Sequence, residues 1–314
     1  MSSRQLAEPV ARVDLDPTAS ARRRSGGLPD VLAAELYKLV RRPANWLLLA
    51  VALVLSLTFT YLVPYAGYAE GTGTVGGGPG SGPGSGQVGA DGGGLAALLP
   101  AELVGNSIGG LPIFLGAIML ILGVLTVGGE YGWGTWKTLF TQGPSRLVGY
   151  AGKLVALSVA TLAAVLAVFA AGGAASAVIA GVEGQPMQWP PLAELTVGVG
   201  AGWLVATMWA CFGALLAVLL RGVALPVGLG LVWLLAVQNL LASLAAPLLD
   251  WVAELQKGLP GPNAGSLVAA LGAGADTPGV EQVVGGGQAA LTVAGYLVGF
   301  VLLSGAFLHR RDIL

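Results

Sequence analysis

The chain has 314 residues, of which 55% are hydrophobic and only 10% charged, and its mean hydropathy is +0.78. Soluble domains carry about 25% charged residues, so a soluble globular class is excluded and a polytopic membrane protein is expected. The near-balance of 15 basic and 16 acidic residues leaves no cationic excess for phosphate, which argues against a nucleic-acid partner.

Residues 1–27 mix Ser, Arg, Asp and Gly without an apolar period, so they bury too little surface to offset ordering entropy and are expected to form a disordered tail. They lack the short apolar core of a removable signal peptide. The cluster Arg22, Arg23 and Arg24 reads as a topology determinant, with binding to anionic lipid as the alternative. Residues 30–42 read as a helix with Asp30 as N-cap. Leu32, Leu36, Leu39 and Val40 form its apolar stripe, and Glu35, Lys38, Arg41 and Arg42 its polar face. Such a helix suits the membrane interface, and Pro43 breaks it before the first span.

That first span is expected at about 45–63, with Trp46 at one interface and Tyr61, Tyr65 and Tyr68 at the other. A Gly/Pro/Ser-rich loop follows at 71–94, then a mildly apolar piece at 95–108 that reads as a short outer helix. Further spans are expected at about 109–128, 153–182, 195–220, 223–249 and 289–308. The third exceeds what a bilayer requires, and its second half is rich in small residues that let helices approach closely. Arg221 with Gly222 makes a tight turn between the fourth and fifth. Residues 250–288 form a polar excursion with amphipathic turns around Trp251, Val252, Leu255 and Leu259.

Charge asymmetry sets the expected orientation. If both termini are cytoplasmic, 14 of the 15 basic residues lie inside and only Lys257 outside, while nine acids occupy the outer loops. The positive-inside rule then gives six spans with both ends in the cytoplasm. Residues 129–146, between the second and third spans, are thereby cytoplasmic.

Catalytic chemistry is poorly supplied. The lone Cys211 and lone His309 offer neither a disulfide nor the convergent groups of a metal centre or catalytic triad. No Asp, Glu, Lys or Arg lies within the six runs away from their ends, which disfavours an ion-coupled carrier and excludes hydrolysis by paired intramembrane acids. Gly152-Lys153 is followed by Leu154 rather than Ser or Thr, so it is no phosphate-binding loop. Gln238 and Asn239, in the middle of the fifth span, are the most polar intramembrane residues and serve either as interhelical glue or as a pathway lining. Trp203, Trp209 and Trp233 read as packing or lipid-facing residues.

Residues 129–146 also carry a resemblance. Glu130-Tyr131, Gly134-Thr135, Lys137, Leu139, the turn Pro144-Ser145-Arg146 and Lys153 resemble the segment after the second span of ABC-2 type transporter permeases. Glu35, Lys38 and Arg41 before the first span, Leu259-Pro260 and Asn263-Ala264 in the excursion, and the closing Arg310-Arg311-Asp312 fall in the corresponding places. The resemblance covers about 28–314; the Gly/Pro-rich outer loop departs from it. It implies an all-α polytopic fold of six spans with an amphipathic interfacial helix before them and short re-entrant helices between the last two. It also implies a dimer or a sister permease in a bacterial plasma membrane, and a separate cytoplasmic ATPase that uses ATP and Mg. The chain itself binds no cofactor and is not an enzyme on this reading.

The implied docking surface comprises the interfacial helix and the loop after span two: Glu35, Lys38, Arg41, Glu130, Tyr131, Gly134, Thr135, Trp136, Lys137, Leu139, Phe140 and Arg146. Thr135, Trp136, Leu139 and Phe140 suit an apolar anchor patch with Lys137 and Arg146 at its rim. Glu130 is expected to cap the following helix or to pair with a base such as Arg41. A secondary carrier or channel without an ATPase, and a non-transporting scaffold, remain the alternatives.

Overall fold

A computed structural model describes residues 27–70, 93–132, 145–241, 248–275 and 277–310, and among these every regular element is helical. The first helix, α1, spans Leu28–Arg41. Its N-cap is Gly27 rather than the expected Asp30; Asp30 sits at the third helical position, and its carboxylate accepts the Gly27 N–H at 3.3 Å. Pro29, pre-set for the first turn, moves the start outward. The buried stripe also differs from the expected one. Val31, Glu35 and Leu39 are buried while Val40 is exposed, so the helix turns a carboxylate inward among its apolar contacts.

Arg42 is extended (φ −80°, ψ 115°), as the residue before a proline favours, and Pro43 opens α2, an apolar helix over Pro43–Ala69 with a π turn at Thr58–Leu62. Only a small share of its apolar window is buried; Trp46, Leu47, Val54, Phe59 and Leu62 face outward, as lipid contact requires. Tyr61 departs from the expected aromatic belt because it points inward and is buried. The piece at 95–108 folds inward as well: a 3-10 turn at Pro100–Glu102 leads into α3, Leu103–Ile108, where Leu103, Val104 and Ile108 are buried.

Two helices form the centre. α4, Phe114–Gly132, starts five residues later than expected because 109–113 form turns. α6, Leu192–Leu220, buries 72% of its apolar window, more than any other spanning helix, and packs along α4. Gly123 lies against the Ala210 carbonyl and Gly213 against that of Leu120, so a Cβ at either glycine would collide with the facing backbone. Small residues here bring two helices together at a separation larger side chains forbid. Trp209 is fully buried at this seam beside Gly116, which makes it a packing residue.

α5, Arg146–Val182, has 37 residues, roughly 55 Å at 1.5 Å per residue. It begins seven residues before the expected position, with the Ser145 hydroxyl accepting the Val148 N–H as N-cap. Lys153 therefore lies inside a helix rather than at its start. α6 ends at Arg221, whose left-handed backbone (φ 51°) reverses the chain as expected.

α7 covers Ala224–Leu240 and contains a π turn at Val232–Val237; residues 242–247 of the expected fifth span lie outside the described residues. The excursion forms α8, Asp250–Gln256, and α9, Pro260–Ala269, followed by α10, Gly286–Arg310. α9 is buried, with Asn263 donating to the Lys257 and Leu259 carbonyls at 2.9 and 2.7 Å. Among the described residues, five helices (α2, α4, α5, α6 and α10) are long and apolar enough to cross a membrane, and α7 is a shorter apolar helix.

Candidate functional site

Charge that the composition makes scarce is concentrated at one point, where α1, the end of α4 and the second turn of α5 meet. Gly152 permits the meeting: a Cβ there would strike the Val31 side chain of α1. The Gly152-Lys153 pair thus has a packing role, glycine for contact and lysine for the charge that follows. Lys153 is wholly buried, and its ammonium donates to Glu35 Oε2 at 2.8 Å and to Glu130 Oε1 at 3.0 Å. Both carboxylates are buried in turn. Lys38 Nζ reaches Glu35 Oε1 at 2.9 Å and lies 3.6 Å from Glu130 Oε1. Arg42 completes the group: one guanidinium nitrogen lies 3.6 Å from Glu130 Oε1, and another donates to the Leu125 carbonyl at 3.3 Å.

Three cations and two carboxylates therefore interlock three elements. Lys38 and Arg42 remain about one-third exposed, while Lys153 has no exposed side-chain surface at all. Taking an ammonium wholly out of water costs several kcal/mol unless charged partners surround it, which is the condition two carboxylates satisfy here. The arrangement has no nucleophile–base pair, and among the described residues no group of three His, Cys, Asp or Glu is placed to hold a metal. Its chemistry is cohesion: the start of α5 cannot leave α1 or α4 without stranding a buried charge.

Of the residues expected at a docking surface, Glu35, Lys38 and Glu130 converge in this cluster. Arg41 does not pair with Glu130; it projects on the exposed side, its guanidinium 5.2 Å from the Tyr37 ring centroid. The difference is one residue, since the extended Arg42 turns back toward α4. Tyr131 is half-buried and packs against the main core. Gly134, Thr135, Trp136, Lys137, Leu139 and Phe140 lie outside the described residues, as does the Arg146 side chain. Sequence reasoning missed Arg42 and Lys153 as members of the site. The available signal was Lys153 itself, a lone cation two turns into a helix that otherwise reads as a span.

Gln238 and Asn239 sit elsewhere. They lie in the last described turns of α7, with residues 242–247 of the expected fifth span outside the described residues; Gln238 is buried against Gly261 of the outer excursion, and Asn239 is exposed and donates to the Leu235 carbonyl. Both line a cavity of about 590 Å³ between α7, the start of α4 and the excursion. Between cavity and ion cluster runs α4, from Phe114, next to Ile113 of the cavity wall, to Glu130, roughly 24 Å at 1.5 Å per residue.

Fold and site thus define an all-α protein with several helices long and apolar enough to span a membrane and a charged joint at one end of its central helix pair. Neither a protein-family model nor a curated protein matches the chain.

Proposed function

We propose that the chain is the membrane subunit of an ATP-driven transporter of the ABC-2 permease type, exporting an apolar or amphipathic compound. In this reading it sits in a bacterial plasma membrane as a homodimer or with a sister permease, with both termini cytoplasmic and α7 as the fifth of six spans. A separate cytoplasmic ATPase, using ATP and Mg, docks at α1 and at the segment between α4 and α5. The observation that carries this is the buried ion cluster. Glu130 and Lys153 flank the segment 133–144, and Lys153 bridges Glu130 to Glu35 of α1. A push on that segment reaches α1, α4 and α5 together, because separating them uncovers a buried charge at a cost of several kcal/mol.

The test is co-expression with an ATPase encoded beside the chain, followed by ATP hydrolysis measured on the purified complex. Changing Thr135, Trp136 and Leu139 together to Asp is expected to abolish copurification and permease-dependent hydrolysis while leaving the unfolding midpoint of the chain unchanged. Intact hydrolysis and copurification in that variant would remove the docking assignment. Transport by the chain alone in liposomes under an ion gradient would replace it with a secondary carrier.

A further inference from the structure

We infer that the cavity between α7 and the outer excursion is a binding site for an organic monocation, amphipathic in character and carrying a hydrogen-bond acceptor. Its volume, about 590 Å³, lies within the range of small-molecule sites. Its walls are largely apolar, with Ile113, Leu234, Pro262 and Val280 among them. Leu234 and Gln238, one helical turn apart on α7, are both buried and face the same cavity, and the π turn Val232–Val237 lies immediately before the glutamine. Such turns recur where a helix presents side chains to a ligand.

Two polar features set the ligand chemistry. Gln238 is 6% exposed, and its amide nitrogen has no hydrogen-bond partner, so a donor stands unused beside the apolar Leu234 and Ile113 of the wall. A buried amide without a partner carries a cost that an acceptor on a ligand removes. The second feature is charge. Glu281 is the only ionisable residue among those described around the cavity, and no Lys or Arg is among them. The nearby Lys257 is already paired with Glu254, leaving Glu281 without a described cation. An anion is therefore disfavoured and a cation attracted, with the Glu281 carboxylate at the mouth and the amide further in.

The wall that carries Glu281 is held in place. The Ser266 hydroxyl of buried α9 accepts the N–H groups of Val283 and Val284 at 2.9 and 3.3 Å and lies 2.9 Å from the Glu281 carbonyl. Gly265 lets the Gly279 carbonyl pack directly onto α9. The site is accordingly pre-formed on a buried helix.

This inference extends the transporter reading by naming a ligand class, and its assay contains no ATPase, so its failure leaves the docking test untouched. The full-length chain in phosphatidylcholine nanodiscs is titrated with rhodamine 6G, an amphipathic organic monocation whose ester carbonyl is a hydrogen-bond acceptor, against empty discs, and in parallel with the anion 8-anilinonaphthalene-1-sulfonate. Rhodamine 6G is expected to bind saturably, about fivefold more weakly in Gln238→Leu, for one lost hydrogen bond. In Glu281→Gln, a change at an exposed position, binding is expected to weaken about threefold, for one solvent-screened charge. Ala275→Trp, which fills the cavity from its exposed rim, is expected to eliminate binding. Rhodamine 6G binding no greater than in empty discs, or unchanged in Glu281→Gln and Ala275→Trp, would overturn the assignment. Equal binding of the anion, lost in Ala275→Trp, would overturn its cationic class.

Discussion

The two ends of α4 solve the same problem, polar groups held away from water, in opposite ways. At Glu130 every charge is answered: Lys153, Lys38 and Arg42 face two carboxylates within 3.6 Å, and the elements are locked by complementarity. Beside the Phe114 end the polar groups are mostly uncharged and one is left open, with the Gln238 amide nitrogen unpartnered beside a cavity. A saturated polar cluster makes a joint, since any displacement strands a charge. An unsaturated one makes a receptor, since something from outside can still improve it. On the transporter reading proposed above, the first end would receive force and the second cargo.

Removing the ammonium at the saturated end should have the largest effect. Lys153→Met leaves Glu35 and Glu130 buried and facing each other, and is expected to lower stability by about 3–5 kcal/mol, read as a large drop in the thermal unfolding midpoint in detergent. At the opposite end, Asn263→Ala removes the donor to two backbone carbonyls beneath the excursion. A loss of about 1–3 kcal/mol is expected there, and a loss equal to that of Lys153→Met would erase the contrast between the ends. Lys38→Ala sharpens it differently: the lysine belongs to the same cluster but is 39% exposed, so the expected change is about 1 kcal/mol or less. Between the ends, Thr161 and Thr207 share a hydroxyl bond of 2.8 Å joining α5 to α6. Thr161→Val should cost only about 0.6 kcal/mol, typical of an isolated interhelical hydrogen bond among apolar helices, and a double-mutant cycle with Thr207→Val would measure it.

Much of the helical layout was legible from local chemistry. Pro43 ends one helix and opens the next because a proline cannot continue the hydrogen-bonding of α1 and holds Arg42 extended. Arg221 and Gly222 mark the α6–α7 turn for a similarly local reason. Helix starts were less legible, since Pro29 and Ser145 set them through first-turn geometry rather than through hydropathy, and the expected bounds followed hydropathy. The burial of Tyr61 and Glu35 depended on which face met a neighbour, something an amphipathic pattern leaves open when the partner surface is itself polar.

The candidate site divides along the same line. Glu35, Lys38 and Glu130 belong to the expected docking surface, yet Lys153 is expected only as the first residue of the third span and Arg41 has the place that Arg42 holds. Glu35 and Lys153 are 118 residues apart, and only the packing of Val31 onto Gly152 brings them together. Sequence by itself determined that this is an all-helical chain with long apolar helices and few charges, because the length and polarity of each run are set by what a hydrocarbon layer tolerates. Only the tertiary structure decided that those few charges meet in one buried cluster and that Gln238 faces a cavity. Both depend on close backbone approach at Gly152 and Gly261, and such approach is a property of two helices together rather than of either alone.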